Sequence, residues 1–457
     1  MSVTGSKYLL EVDRQRILID CGLYQERSLR GRNWESLPVA PDTIDAVVLT
    51  HAHLDHCGLL PKFVRDGFRG RIYCTPATAD LVRIMLIDSA AIQEEDAVFK
   101  RKRHEREGRK GPHPEVPLYT QQEARETLSL LRPLPYGQLL KIGRHVEVTL
   151  HDAGHVLGSS IVRVAIRQKG QSRVLLFSGD LGRWDQLILP DPTCFDAADY
   201  VLVESTYGDR LHDKSQDVDI ALEDVINSTA RAGGNIVIPS FALERSQELL
   251  FRMKRLMNQK RIPRLMVFLD SPMAIQITDV FDRYPDLLND TARQLLAAGD
   301  SPFSFPTLKT IRTPDESKAI NLMRGTVVVI AGSGMCTGGR IKHHLVNNIT
   351  RRESTVLFVG YQAADTLGRQ IVDGNANVRI LGQMYPVKAR IMQLTGLSSH
   401  ADRDELFRWL SGLRLAPRSV FVVHGEPASA QAFEDFVRSK KGWRVALPSY
   451  GDEFVIE

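Results

Sequence analysis

Within six consecutive positions, His51 to His56 of "HAHLDH", the chain places three of its 13 histidines and one aspartate. His51 and His53 stand at i and i+2, a spacing that turns both side chains to one side of extended backbone. Asp55 and His56 follow where the chain turns toward a helix. Imidazole nitrogens and carboxylate oxygens are good donors for divalent transition ions. Two such pairs in tandem suit two ions a few ångströms apart, and such an ion pair can supply hydroxide near neutral pH and bind phosphate oxygens.

More donors of the same kind end other apolar runs. His155 lies in "HDAGHVLGS", flanked by Gly154 and Gly158, which let the backbone come close to a site. Asp180 ends "RVLLFSGD", and a carboxylate can bridge two cations through its two oxygens. His424 ends "SVFVVH". Singly, each suits an ordinary turn; together they complete a His/Asp set of the right type and number.

These donors need rigid elements to hold them. Runs of strand length recur, among them "RILIDCG", "IDAVVLTH", "RIYCT", "IVRVAIR", "RVLLFSGD", "YVLVEST", "NIVIPS", "LMVFLDSP", "TVVVIAGSG", "TVLFVG", "ARIMQLTG" and "SVFVVHGE". Helical patterns lie between several of them, at Ala221 to Arg231, Leu243 to Met257, Pro285 to Ala298 and Gln431 to Lys440. This alternation predicts α/β layers. From about Tyr207 to Ile371 the chain offers few metal-binding side chains, so a site shared by both ends would make the middle an insertion.

At 457 residues, 43% hydrophobic and 25% charged, the chain is globular and long enough for two domains. It has no apolar run of about 20 residues and no signal-peptide pattern at "MSVTGSKYLL", so a cytoplasmic protein without a membrane partner is expected. The five scattered cysteines, none spaced as C-x-x-C, read as reduced thiols. Net charge is +4, yet "KRKRHEREGRK", Lys100 to Lys110, alone carries +5. Such a run is either a solvated face or a local attractor for a polyanion.

The ordered set Asp20, "HAHLDH", His155 and Asp180 resembles the metallo-β-lactamase fold. "VESTYG" with Glu204, "SSHAD" with His400 and "VVHGE" with His424 are similar to the motifs of its β-CASP branch of RNA- and DNA-processing nucleases. The resemblance implies an αββα metallo-β-lactamase sandwich with an inserted α/β β-CASP domain. The domain would be formed by residues 1–206 and 372–457, and the insert by 207–371. Two Zn²⁺ per chain are implied, one on His51, His53 and His155 and the other on Asp55, His56 and His424. Asp180 would bridge them, and Asp20 would orient ligands from behind. His400, Glu204 and Asp55 are implied as catalytic residues, with His400 as general acid and Glu204 holding its ring. Asp402 and Glu405 have the spacing of a capping box at the helix after His400.

The loop "AGSGMCTGGR", Ala331 to Arg340, follows an apolar run and precedes a helix, a junction whose free N–H groups suit phosphate. As a dinucleotide fingerprint it is incomplete, since the third glycine should fall at Thr337. The resemblance places this loop across a cleft from the metals, with Ser333, Thr337 and Arg340 on a nucleic-acid phosphate. The implied activity is zinc-dependent hydrolysis of single-stranded RNA, with internal cleavage and 5′-3′ trimming both open, DNA not set aside and a homodimer as one assembly. The competing expectation keeps the fold but gives it a small ester, thioester or phosphodiester metabolite. A non-catalytic binding subunit is disfavoured because every ligand position is filled. Relatives usually carry a strand before "VTGS", so a shortened first sheet edge is expected, and any sequence preference would come from the cleft or from partners.

Overall fold

In the computed structural model, residues 2–26, 28–108, 115–168, 170–212, 217–363 and 365–457 are described. The chain divides into two compact units, Met1–Leu211 with His400–Glu457, and His212–Ser399.

The first unit is built on two sheets. One runs Tyr8–Val12, Gln15–Ile19, Ala46–Val48, Arg71–Cys74 and Leu131–Pro133, antiparallel at its first pair and parallel thereafter. The other runs Val445–Ala446, Ser419–Val423, Tyr200–Glu204, Gln171–Phe177, Ser160–Gln168, Val146–Asp152 and Leu140–Ile142. Side chains alternate along each strand, and the two-residue period sorts them into layers. Ile17, Ile19, Ala46 and Val48 meet Val162, Val164, Leu175, Phe177, Tyr200, Phe421 and Val423 in a core between the sheets. Their neighbours Val201, Val203, Val420 and Val422 face the other way, under Leu406, Trp409 and Phe433 of the helices Arg403–Leu410 and Pro427–Lys441. On the first sheet Leu18, Val47 and Ile72 are buried on the far face, and the helix Pro76–Glu107 packs beside Leu131–Pro133. The result is an αββα sandwich.

Parallel pairing decides where the functional side chains fall. Gln171–Phe177, Tyr200–Glu204 and Ser419–Val423 run in one direction, as do Gln15–Ile19 and Ala46–Val48. Strands that run together finish at one edge, the place where open α/β sheets bind ligands.

The second unit holds a six-stranded parallel sheet in the order Leu308–Thr310, Met266–Asp270, Val327–Ala331, Ile236–Pro239, Thr355–Phe358, Arg390–Gln393. Its inner strands are buried on both faces, which is why "TVVVIA" and "TVLF" read as unbroken apolar runs. The unit boundaries differ from those expected at 206/207 and 371/372. They fall at 211/212 and 399/400, because Arg390–Gln393 hydrogen-bonds beside Thr355–Phe358 and extends this sheet. The helical pattern expected over 285–298 splits into Pro285–Leu287 and Asp290–Ala297, the latter started afresh by the Asn289 side chain accepting from the Ala292 N–H at 3.0 Å. The basic run is the exposed end of the helix Pro76–Glu107, closed by Gly108 at φ +61°. Arg109 and Lys110 lie outside the described residues.

Phe433 is fully buried and ties the helix after His424 to the sheet. Phe433→Ala should cost about 3–5 kcal/mol, read as a fall of several degrees in the first unit's melting temperature.

Candidate metal centre

Most of the donors sit where a strand stops. Asp20 and His51 follow neighbouring parallel strands, and the Asp20 N–H donates to the Val48 carbonyl at 3.0 Å, setting its carboxylate beside Thr50. His53 is extended (φ −62°, ψ 146°) before the short helix Leu54–Cys57, which carries Asp55 and His56. His155 lies in the turn between Val146–Asp152 and Ser160–Gln168, and Asp180 and His424 follow Gln171–Phe177 and Ser419–Val423. Asp20 and His424 have φ of +61° and +47°, backbone that a residue with a Cβ adopts only where its surroundings hold it there. Gly182 allows the chain after Asp180 to lie against the His155 turn. A Cβ there would sit 1.9 Å from the Gly154 carbonyl oxygen.

Among the described residues, besides Asp180 with Glu204 and His400, two groups of donors converge, each within 4.8 Å: His51, His53, His155 and Asp180 in one, and Asp55, His56 and His424 in the other. Asp180 faces both. Its Oδ2 lies 3.5 Å from His51 Nε2 and 3.6 Å from His155 Nε2, while His53 Nδ1 is 3.0 Å from His51 Nε2 and 3.4 Å from His155 Nε2. Its Oδ1 lies 3.2 Å from His56 Nε2 and 3.4 Å from His424 Nε2. Asp55 Oδ2 is 4.0 Å from His56 Nε2 and 3.9 Å from His424 Nε2.

Among the described residues, His56 Nε2 and Asp180 Oδ1 are buried with no hydrogen-bond partner. Each such orphan costs about 1–3 kcal/mol unless something else satisfies it. A cation would satisfy both, and imidazoles with carboxylates are a donor set that divalent metal ions take.

The opposite sides of the rings are held by different groups. Asp20 Oδ2 is 2.7 Å from His56 Nδ1, and the carboxylate also accepts from the Thr50 N–H at 2.7 Å and the Thr50 hydroxyl at 2.8 Å. Thr50 Oγ1 is 3.1 Å from His51 Nδ1, and Ser6 Oγ is 2.7 Å from His424 Nδ1. Partners of this kind fix which nitrogen is left to face a metal. Ser6 and Thr50 were not among the residues singled out from the sequence. Thr50 adjoins His51, but Ser6 is 418 residues from His424 and carries no local signal.

The electrostatics divide the rings: burial would lower His56, but Asp180 and Asp20 hold it well above the ordinary histidine range. Burial, then the neighbouring imidazole of His56, keeps His51 well below the ordinary histidine range, and burial lowers His53 as well. Both rings are therefore neutral and able to donate a lone pair. Burial would raise the Asp180 carboxyl, but His424, His56 and His51 hold it well below the usual carboxylate range.

Glu204 ends Tyr200–Glu204 fully buried. Its Oε1 and Oε2 lie 3.2 and 3.3 Å from His400 Nδ1, and they also accept from the Leu181 N–H at 2.7 Å and the Thr206 N–H at 3.3 Å. His400 is strapped to the segment after Asp180 by an antiparallel bridge to Gly182 and by the Ala401 N–H donating to the Leu181 carbonyl at 2.8 Å. Its ring centroid is 4.4 Å from that of His155. Against the effect of burial, Glu204, Asp180 and Asp55 push its pKa up to about 9. The capping box at Asp402 and Glu405 is formed, with the Asp402 N–H donating to Glu405 at 2.9 Å.

The candidate phosphate loop lies in the second unit. Ser333 Oγ is 3.2 Å from Thr337 Oγ1 and 3.2 Å from the Gly338 N–H that donates to it, and Thr337 is exposed. The Arg340 guanidinium is committed within the fold. It pairs with buried Asp270 at 2.6 Å and donates to the Ile311 and Arg312 carbonyls at 3.2 and 2.8 Å.

A metallo-hydrolase centre on a metallo-β-lactamase sandwich is the class that this fold and site define. Three family profiles match the chain: a metallo-beta-lactamase superfamily domain over residues 9–178, a Beta-Casp domain over 246–371, and a Zn-dependent metallo-hydrolase RNA specificity domain over 384–448. Ribonuclease TTHA0252 of Thermus thermophilus is 37% identical over 98% of this chain and 96% of its own length. Transcription termination factors FttA of Methanocaldococcus jannaschii and Methanosarcina mazei are each 31% identical over 93% of this chain, which spans 65% of their length. A solved structure, a protein of unknown function from Enterococcus faecalis V583, shares the fold at a TM-score of 0.54 and 13% identity, over 100% of this chain and 97% of its own. The chain belongs to the β-CASP family of metallo-β-lactamase-fold hydrolases.

His424→Ala removes a donor from one group only and should lower the divalent metal bound per chain without abolishing it, measured by elemental analysis of the purified protein. Ser6→Ala should leave the metal content unchanged but weaken the metal affinity by about 10–100-fold, measured by competition with a chromogenic chelator.

Proposed function

We propose that this chain is a ribonuclease that hydrolyses phosphodiester bonds of single-stranded RNA at a centre holding two zinc ions. The observation that carries the reading is the division of the Asp180 carboxylate, one oxygen toward His51, His53 and His155 and the other toward Asp55, His56 and His424. When bound, two zinc ions at such donors activate water at neutral pH and neutralise phosphate charge. The relative of 37% identity is named a ribonuclease, and one matching profile is an RNA specificity domain. Both favour RNA over the small-metabolite alternative.

In this reading Asp20, Thr50 and Ser6 aim the imidazoles that hold the metals. Glu204 grips His400 Nδ1 and leaves Nε2 to deliver a proton to the departing oxygen, the role of a positioned general acid. Ser333 and Thr337 are the phosphate-facing members of the loop at Ala331, whereas Arg340 positions that loop through Asp270. No helix among the described residues is long and apolar enough to cross a membrane. A cytoplasmic setting, where thiols stay reduced, suits the five free cysteines.

A circular single-stranded RNA and a linear 5′-phosphorylated one, offered with zinc and with a chelator, test the reading. Zinc-dependent loss of either supports it, and cutting of the circle assigns an endonuclease. Failure on both, or cleavage of the corresponding DNA alone, overturns it. His400→Ala should keep two zinc ions and lose about 10²–10⁴-fold in cleavage rate, measured under single-turnover conditions. A wild-type rate would remove His400 from the role of acid.

A further inference from the structure

The helix Pro76–Glu107 is 32 residues long, and only part of it serves the fold. Its start is anchored at the His155 turn, where the Thr75 and Thr78 hydroxyls donate to the Gly158 carbonyl at 2.7 and 2.8 Å. Its last three turns carry Lys100, Arg101, Lys102, Arg103 and Arg106, all exposed. Ala97 and His104 turn inward there, and Arg101 donates to the Glu115 carbonyl at 3.1 Å, so the 115–120 segment supports the inner side. At 3.6 residues per turn the opposite side carries Phe99, Lys102 and Arg106, with Arg103 beside them. Phe99 is 66% exposed, a large apolar ring left in water among cations. Local acids offset only part of the charge: Asp96 lies 3.9 Å from Lys100 and Glu107 3.0 Å from Arg103.

A flat aromatic face among cations is the chemistry that holds single-stranded nucleic acid. The ring stacks on a base and the cations replace counterions along the backbone. We infer that the face formed by Phe99, Lys102, Arg103 and Arg106 is an accessory binding surface for the single strand of an RNA substrate, remote from the metal centre. The inference rests on the ribonuclease reading. From Thr78, at the His155 turn, to Arg103 the helix rises about 38 Å at about 1.5 Å per residue. A stacked strand rising about 3.4 Å per nucleotide needs about eleven nucleotides to span that distance. The surface therefore selects for length: a strand of five nucleotides reaches the metal centre alone, and one of twenty-five reaches both.

The test is kcat/KM of the zinc-loaded full chain on a 5-mer and a 25-mer of unstructured single-stranded RNA. Lys102→Glu with Arg103→Glu and Arg106→Glu should lower kcat/KM on the 25-mer by about ten-fold or more, flatten its dependence on salt, and leave the 5-mer unchanged. Phe99→Ala should lower the 25-mer value by about five-fold with the salt dependence intact. The unchanged 5-mer shows that the variants are folded. Equal loss on both lengths, or loss on neither, overturns the inference while leaving the ribonuclease reading standing. If the wild type cleaves neither oligomer, the ribonuclease reading falls and this inference with it. Saturable binding to phosphatidylserine vesicles that the triple variant abolishes, with RNA kinetics unmoved, would assign the face to a lipid surface and overturn it as well.

Discussion

The carboxylate of Asp180 is the constraint around which the first unit is arranged. It is buried and ionised, a state that costs several kcal/mol without compensation, and its two oxygens face separate groups of imidazoles. Each group must come from several places in the chain, because no single turn can surround a carboxylate on both sides. The parallel strands provide this by ending together. Gln171–Phe177 brings Asp180, Ser419–Val423 brings His424, and Ala46–Val48 leads into His51 and the helix with Asp55 and His56. The core between the sheets fixes those strand ends, so the packing of Phe177, Tyr200 and Val423 sets the donor distances as surely as the donors do.

The imidazoles are held on two sides, and the outer side shows how local and distant parts of the chain divide the task. His51 and His56 are braced by Thr50 and Asp20, from the neighbouring strand ends of one sheet. His424 is braced by Ser6, which reaches it from the other end of the chain. The Ser6 N–H also donates to the Asp55 carbonyl at 3.0 Å, so one residue fixes the backbone of one donor and the ring of another. The first residues of the chain are thus part of the centre's support.

What could be seen in the sequence follows from the range of the forces involved. Buried parallel strands such as Val327–Ala331 announce themselves as apolar runs because both faces are covered, and the donors announce themselves because histidine is scarce and their spacing is tight. Tyr8–Val12 and Val146–Asp152 were not singled out, since one face of each is partly open and polar residues interrupt the run. The full extent of the helix Pro76–Glu107 was equally hidden. Its second half has little apolar periodicity and is held largely by contacts with the 115–121 segment, including Gln121 donating to Glu94 at 2.9 and 2.7 Å. Arg390–Gln393 was legible as a strand but not as a member of the second sheet, because register with Thr355–Phe358 is a tertiary fact. The pairing of Arg340 with Asp270 was hidden for the same reason: the two lie 70 positions apart.

The place where the second unit is inserted follows from the same geometry. The chain leaves the first unit shortly after Glu204 and returns at His400, and these two side chains are hydrogen-bonded to each other. The Leu181 N–H donates to Glu204 and the Leu181 carbonyl accepts from Ala401, so the segment after Asp180 joins exit and return. An insertion of nearly two hundred residues has its loop-closure entropy relieved by this local clasp, since closure cost grows only slowly with length while the clasp fixes both ends. The clasp is also the pair proposed for proton delivery. The contact that lets the sandwich tolerate its insertion therefore also holds the His400 ring beside the metal donors, and weakening it would disturb both at once.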